Sequence, residues 1–516
     1  MRRRDFLAGG LAIGTVAITN PANGQVQLID IQDFIRWKFC PAGKTFMRRD
    51  VYTLLGQDPN HPIVQSYRDG VAVMRSLPAT EPTSWAYQAN IHGTTLAPSQ
   101  WPPGAPFETC EHSSFSVRNM HFLPWHRMYL YFFEKIVRFH SGNRDFALPY
   151  WNYSKSGQAA LPEPFRTPAG ASNALYDATR SSSINSGNGL SSSTTNTSTA
   201  LGRTSFTGTS GFSSSLEGTP HGVVHSAIGG NMGGFSGAGR DPIFWLHHCN
   251  VDRLWEKWLS QGGGRVNPIG DAAWMGRTAT FVDECGHFVT MTNSDVLDTI
   301  AQLDYQYDDP RECIPLLIAK VPAHRFLAQQ VRPLTNLVLA NATRLEFDDR
   351  EARLKLDRDA AGGEISEAIK RHEVLSDRSG AEVLLRIEEL TLEAPMDGYF
   401  EVWLSLVSEE TGRETDQLYV GNLNTFGADR ASRAAMERAM KERGMDMKGG
   451  VSVALEVTEA VRKLAGGLDG AAFDVSVALR PTTGVEDDTR AGLGARSEPS
   501  VGSVMLEIVP RDVVEE

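Results

Sequence analysis

Six histidines fall into two groups of three along this chain: His92, His112 and His126, then His221, His225 and His248. Three neutral imidazoles form a transition-metal set, and two such sets in one region indicate a pair of metals. All-nitrogen ligation without a carboxylate suits copper better than magnesium, calcium or a carboxylate-bridged di-iron pair. A dinuclear zinc hydrolase fits poorly, because no carboxylate ligands accompany the histidines. His221 and His225 are four residues apart, which on a helix puts both on one face. A single HxxxH pair is commonplace, and the sequence has no HExxH. The weight rests on the joint pattern. His126 and His248 each sit among Pro, Trp and Phe, where burying an unpaired imidazole is costly, and metal ligation removes that cost.

Helices must hold these groups. The apolar positions from His126 to Phe139 form a broad face, and Pro62–Leu77 repeats at helical spacing with proline near its start. His92 precedes Gly93, which places it at a helix C-terminus. Helical patterning resumes at His221, stops at Gly229-Gly230 and returns from about His247 to Leu259. Ligands projecting inward from facing helices build metal sites in a bundle core, so a four-helix bundle is the expected frame. Between the two groups, residues 173–215 are rich in Ser, Thr, Asn and Gly and read as a long surface loop.

The 516 residues exceed one ordinary core, so two folded domains are expected. Hydrophobic content of 41% and a net charge of −12 fit a soluble protein and argue against nucleic acid as a partner. No apolar run is long enough to span a membrane in the mature chain. Five cysteines are too few for a disulfide scaffold. Arg3-Arg4-Asp5-Phe6-Leu7 before a weakly apolar stretch resembles a twin-arginine export signal, ending near residue 26, which implies a periplasmic or secreted protein. After Pro310 the character changes. Val383–Leu392, Tyr399–Val407, Gln417–Asn422, Val453–Val457, Phe473–Leu479 and Val504–Val509 read as strands. The expected plan is a signal (1–26), a mainly α domain (27–310), a linker (311–349) and a C-terminal β-sandwich-like domain (350–516).

Two segments carry a family resemblance. His121-Phe122-Leu123-Pro124-Trp125-His126-Arg127 and the residues following it resemble the first copper signature of the tyrosinase and polyphenol oxidase family. Asp241-Pro242-Ile243-Phe244-Trp245-Leu246-His247-His248, running on to Asp252-Arg253, resembles the second. The resemblance covers about residues 30–310 well and the remainder loosely. It implies two copper ions, one on His92, His112 and His126 and the other on His221, His225 and His248. His247 would neighbour the site, and Asp252 would orient a ligand or clamp Arg253. Tyr305-Gln306-Tyr307 resembles the motif that closes the family's catalytic domain. The family's usual place for the second ligand falls on Val117, which cannot ligate. His112 is favoured over His121 because Cys110-Glu111-His112 resembles an element in which the cysteine sulfur bonds covalently to the histidine ring.

The resemblance also implies O₂-dependent oxidation of o-diphenols to o-quinones. Glu217 resembles the carboxylate that holds a proton-accepting water. Phe235 matches a gate phenylalanine over the site. Gly222 replaces an asparagine often present in strong monophenol hydroxylases, so the balance tilts toward diphenols. In latent plant relatives the C-terminal domain covers the site and a side chain plugs it. Three other roles share these ligands: full monophenolase activity, o-aminophenol oxidation, and non-catalytic O₂ carriage of the haemocyanin type.

Overall fold

The computed structural model describes residues 15–19, 26–30, 45–110, 120–208, 211–309, 335–348, 351–354, 369, 374, 381–429, 451–468, 472–486 and 499–510. His112, Val117, most of the expected signal and residues 310–334 lie outside the described residues.

Near the start of the chain, β1 (Thr15–Thr19) pairs antiparallel with β2 (Val26–Asp30). The helical unit follows. Its first strand, β3 (Phe46–Arg48), leads toward α1 (Pro62–Ser76), α2 (Trp85–His92), α3 (Phe122–Ser141), α4 (Val223–Ile228) and α5 (Pro242–Ser260). Local chemistry sets the ends of these helices. The His61 ring accepts from the Ile63 N–H, with Pro62 in the first turn of α1. Ser84 Oγ caps α2 by accepting from the Tyr87 N–H. Asp241 Oδ1 caps α5 at Ile243 N, while its carboxylate is held by Arg180. Gly142, at φ 73°, closes α3 in a left-handed conformation that a residue with a Cβ adopts poorly.

Two small pairs complete this unit. β4 (Thr278–Val282) forms a hairpin with β5 (Phe288–Thr292), and β6 (Tyr305–Tyr307) runs parallel to β3. Because alternate residues of a strand share a face, Tyr305 and Tyr307 point together. Both hydroxyls donate to Asp252 Oδ2. Asp252 also accepts from Arg127 Nε at 2.5 Å, and Arg48 bonds Glu134 at 2.8 Å and approaches Asp252 at 3.4 Å. Burial alone would raise the Asp252 pKa, but Arg127 and Arg48 outweigh it and hold the carboxylate below its ordinary range. This buried ionic lattice ties α3 to α5 and to both ends of the unit. The expected clamp on Arg253 is corrected here. Arg253 turns instead to Asn250 and Asp309, because Arg127 reaches Asp252 from the facing helix.

The C-terminal part consists of β7 (Thr335–Arg344), β8 (Phe347–Asp348), β9 (Glu351–Leu354), β10 (Ala381–Leu392), β11 (Tyr399–Ser408), β12 (Leu418–Leu423), β13 (Val451–Glu456), β14 (Phe473–Thr482) and β15 (Pro499–Pro510). They form two antiparallel sheets, ordered β13-β10-β15-β7 and β12-β11-β14-β9-β8. Leu385, Ile387, Leu506 and Ile508 from one sheet share a buried cluster with Val402, Leu404, Val477 and Leu479 from the other. The sheets begin at Thr335, so part of the expected linker, residues 335–348, belongs to them. A helical core with sheets elsewhere is thus the observed arrangement.

Residues 173–215 are not a solvent loop. Leu175, Ile184, Leu190, Ala200, Phe206 and Phe212 are all buried. Apolar residues are few here, but most are used. The abundant small polar side chains satisfy the backbone locally, as where Asn173 Nδ2 donates to the carbonyls of Pro164 and Pro168.

Candidate dinuclear metal centre

Helix geometry gathers the histidines. His92 ends α2, His126 lies in the second turn of α3, His225 lies within α4 and His248 in the second turn of α5. His221 lies in the helical segment Glu217–Gly222 that runs into α4, and its ring centroid is 4.7 Å from that of His225. The ligating atoms of His221, His225, His247 and His248 all lie within 4.8 Å of one another, as do those of His92, Cys110 and His126. All seven residues are buried. The two groups meet where the His126 and His248 rings stack at 4.0 Å and 8°.

The tautomers are set by the backbone. Nδ1 of His92 faces the Phe235 carbonyl at 3.0 Å, and Nδ1 of His126 faces the Phe122 carbonyl at 2.8 Å. His221 pairs with Glu217 O at 3.1 Å and His225 with Met232 O at 2.8 Å. A carbonyl can only accept, so each Nδ1 carries the proton and each Nε2 keeps a lone pair. This is the arrangement that orients an imidazole for ligation through Nε2. His225 Nε2 and His248 Nε2 approach to 3.2 Å. Burial first, then the neighbouring histidines, push the His248 pKa well below its ordinary value, so the ring stays in the neutral form that can ligate a transition metal. The donor set therefore fits copper.

His247 comes closer than a mere neighbour. Its ring stacks on His221 at 5.5 Å and meets His225 at 4.8 Å, and burial pushes its pKa down to about 3. Cys110 Sγ is 3.6 Å from His126 Nε2, and burial, reinforced by the nearby Glu217 charge, pushes its thiol up. His121, the alternative ligand, is buried before α3 and appears in neither group of ligating atoms among the described residues. Phe235 packs on His92 at 4.8 Å, so the expected gate lies against the first group. Among the described residues, Asp252 bonds Arg127, Arg48, Tyr305 and Tyr307 and no histidine ring. It acts through the helices that carry the ligands.

One residue at the site comes from the sheets. Phe426 follows β12, and its ring lies on His225 at 4.2 Å and 27°, with His221 at 5.9 Å and His92 at 6.4 Å. Phe426, Tyr399 and Val485 belong to the helical unit's own core cluster. The seat around them is hydrogen-bonded. Gly484 O accepts from Ser191 N and Thr194 Oγ1, the Tyr399 hydroxyl meets Ser193 and Thr194, and Gly398 N donates to Ser226 O. No motif in the sequence singles out Phe426. It sits between a strand and a charged segment, and only its placement shows its role.

Comparison with known proteins agrees with this geometry. Residues 82–200 and 172–261 match the family model described as the common central domain of tyrosinase, and residues 335–495 match a domain of unknown function, DUF7868. The chain is 30% identical over 477 residues to tyrosinase HcTyr1 of Hahella sp. (strain CCB-MM4), covering 83% of this chain and 94% of that one. It is 32% identical over 309 residues to a chloroplastic polyphenol oxidase of Malus domestica, covering 52% of this chain and 50% of that one, so it spans about half the plant protein's length. Among solved structures, latent aurone synthase, a polyphenol oxidase, has a similar fold, with a TM-score of 0.56 at 22% identity over 92% of this chain and 91% of that one.

Proposed function

Since this chain belongs to the tyrosinase and polyphenol oxidase family, we propose that it binds two copper ions and oxidises o-diphenols to o-quinones with O₂, with weak hydroxylation of monophenols. The observation that carries the reading is the pair of buried imidazole groups whose Nε2 lone pairs converge while main-chain carbonyls hold their Nδ1 protons. His92, His112 and His126 would hold one ion, and His221, His225 and His248 the other. Copper would supply O₂ activation and electron transfer. Each catechol gives up two electrons and two protons, and oxygen leaves as water.

The chain's own residues orient and shield. The face of His225 that Phe426 covers is where a flat phenol ring fits. Glu217 starts the segment that carries His221, and its carboxylate would hold the water that accepts the phenol proton. Gly222 offers no side-chain amide to steady a water there, which favours substrates that are already diphenols. Phe235 limits the approach beside His92.

In this reading Phe426, whose ring lies on His225, covers the site, and the sheet domain that carries it acts as a shield. Cleavage within residues 311–334 is the expected release. The Arg3-Arg4 segment supports twin-arginine export of a folded, metal-loaded protein, which cell fractionation with an Arg3→Lys, Arg4→Lys variant would test.

The deciding assay is oxygen uptake by copper-loaded protein with a catechol and with a monophenol, before and after limited proteolysis. Catechol turnover that rises on cleavage supports the proposal. Reversible O₂ binding without turnover on any phenol would instead indicate a carrier.

A further inference from the structure

The position after His221 makes a contact that the metal site does not explain. A Cβ on Gly222 would lie 2.6 Å from Cγ, 2.7 Å from Nδ2 and 3.0 Å from Oδ1 of Asn424. Asn424 belongs to the loop after β12 and is buried. Its Oδ1 accepts from the Phe426 N–H at 3.2 Å, the side-chain turn by which Asn reverses a chain. The next residue is pinned: Thr425 N donates to Ser226 Oγ at 3.2 Å, and Thr425 Oγ1 donates to the Gly398 carbonyl. Contact therefore runs from the bare Cα of Gly222 to the Asn424 amide, to the Phe426 N–H, and to the ring on His225.

Resting on the covered-site reading above, we propose that Gly222 is the seat of the Asn424 amide. The missing side chain at 222 is what lets the loop close, so this one position governs latency as well as facing substrate. Conformation does not explain the glycine. Gly222 has φ −64° and ψ −36°, helical values that any residue adopts. Alanine there would ordinarily favour the helix. Space explains it. A Cβ would push the amide outward, and the amide can yield only by giving up the Phe426 N–H, because Thr425 holds the backbone. The side chain that turns the loop would then no longer aim the plug.

Hydrogen–deuterium exchange on the metal-free full chain tests this without relying on catalysis. Gly222→Ala should speed exchange in peptides spanning residues 423–427 by roughly tenfold or more, the effect of overpacking a closed contact. Asn424→Ser alone should change little, since a serine hydroxyl can keep the turn while being shorter. The double variant should return to the parent rate. Copper-loaded, uncleaved protein should follow the same order in catechol turnover. Parent-like exchange in Gly222→Ala, or a double variant as fast as Gly222→Ala, would overturn the proposal. Phe426→Ala separates the two readings. If it gains no turnover, the covered site is wrong, while the seat still stands or falls on exchange.

Discussion

Replacing Phe426 with alanine tests the covered site most sharply. Phe426 is only 7% exposed, and its ring touches His225, His221, His92 and Phe235. Burying a phenylalanine side chain is worth about 1.5–3 kcal/mol. That energy favours the closed arrangement, so its removal shifts the open population by roughly 10- to 150-fold. The polar seat around Tyr399 and Gly484 remains, so the sheets should stay docked. Uncleaved, copper-loaded Phe426→Ala should therefore oxidise catechol with a kcat/KM raised by about that factor. The further gain on cleavage within residues 311–334 should shrink in proportion. Oxygen uptake before and after limited proteolysis gives both numbers. A variant as slow as the parent that cleavage still activates fully would refute the assignment of the plug to Phe426.

Three other outcomes follow from the same structure. Among the described residues, Asp252→Ala leaves Arg127 with the carboxylate of Glu256 alone and Arg48 with that of Glu134 alone, takes away the acceptor of both tyrosine hydroxyls, and should cost up to about 3–5 kcal/mol in denaturant unfolding, with loss of copper retention; a cost below about 1 kcal/mol would show that the lattice contributes little. His121 is kept neutral by burial, with its pKa pushed down to about 4 despite help from Asn293. The unfolded chain binds that proton first, so its contribution to stability is present above pH 6.5 and is lost as pH falls toward 4, by at most about 3 kcal/mol. His121→Phe should make metal-free stability fall less steeply across that window, where His247 and His248 still contribute, and an unchanged slope would contradict the burial argument. In the cleaved protein, where Asn424 no longer competes for the space, Gly222→Asn should raise the ratio of monophenol to diphenol turnover, read as oxygen uptake on matched substrates.

Much of this was legible in the residues. The Pro-Trp-His and Trp-Leu-His-His segments announced the two long helices, read from His126 to Phe139 and from about His247 to Leu259 because their apolar positions repeat at helical spacing; both helices begin four or five residues earlier, at Phe122 and Pro242. The six C-terminal strand runs were read within a few residues, since alternation and turn residues bound each one. The long Ser/Thr-rich stretch misled. Composition reports how many apolar residues a segment has, not whether each is buried, and Leu190 and Phe212 are. Tyr305 and Tyr307 could be matched to a motif, but their shared acceptor Asp252 lies more than fifty residues away, where no local pattern reaches. Phe426 and Asn424 were invisible for the same reason. Each is an ordinary residue in a turn, and its meaning comes from a long-range contact with His225 or Gly222.

The central claim is that two histidine groups hold two copper ions. Anomalous diffraction at the copper edge from copper-loaded crystals measures this directly. Two peaks per chain are expected, one bonded by His92, His112 and His126, the other by His221, His225 and His248, with His247 outside the coordination sphere. A single shared peak, or a metal held by His247 in place of one of those three, would contradict it.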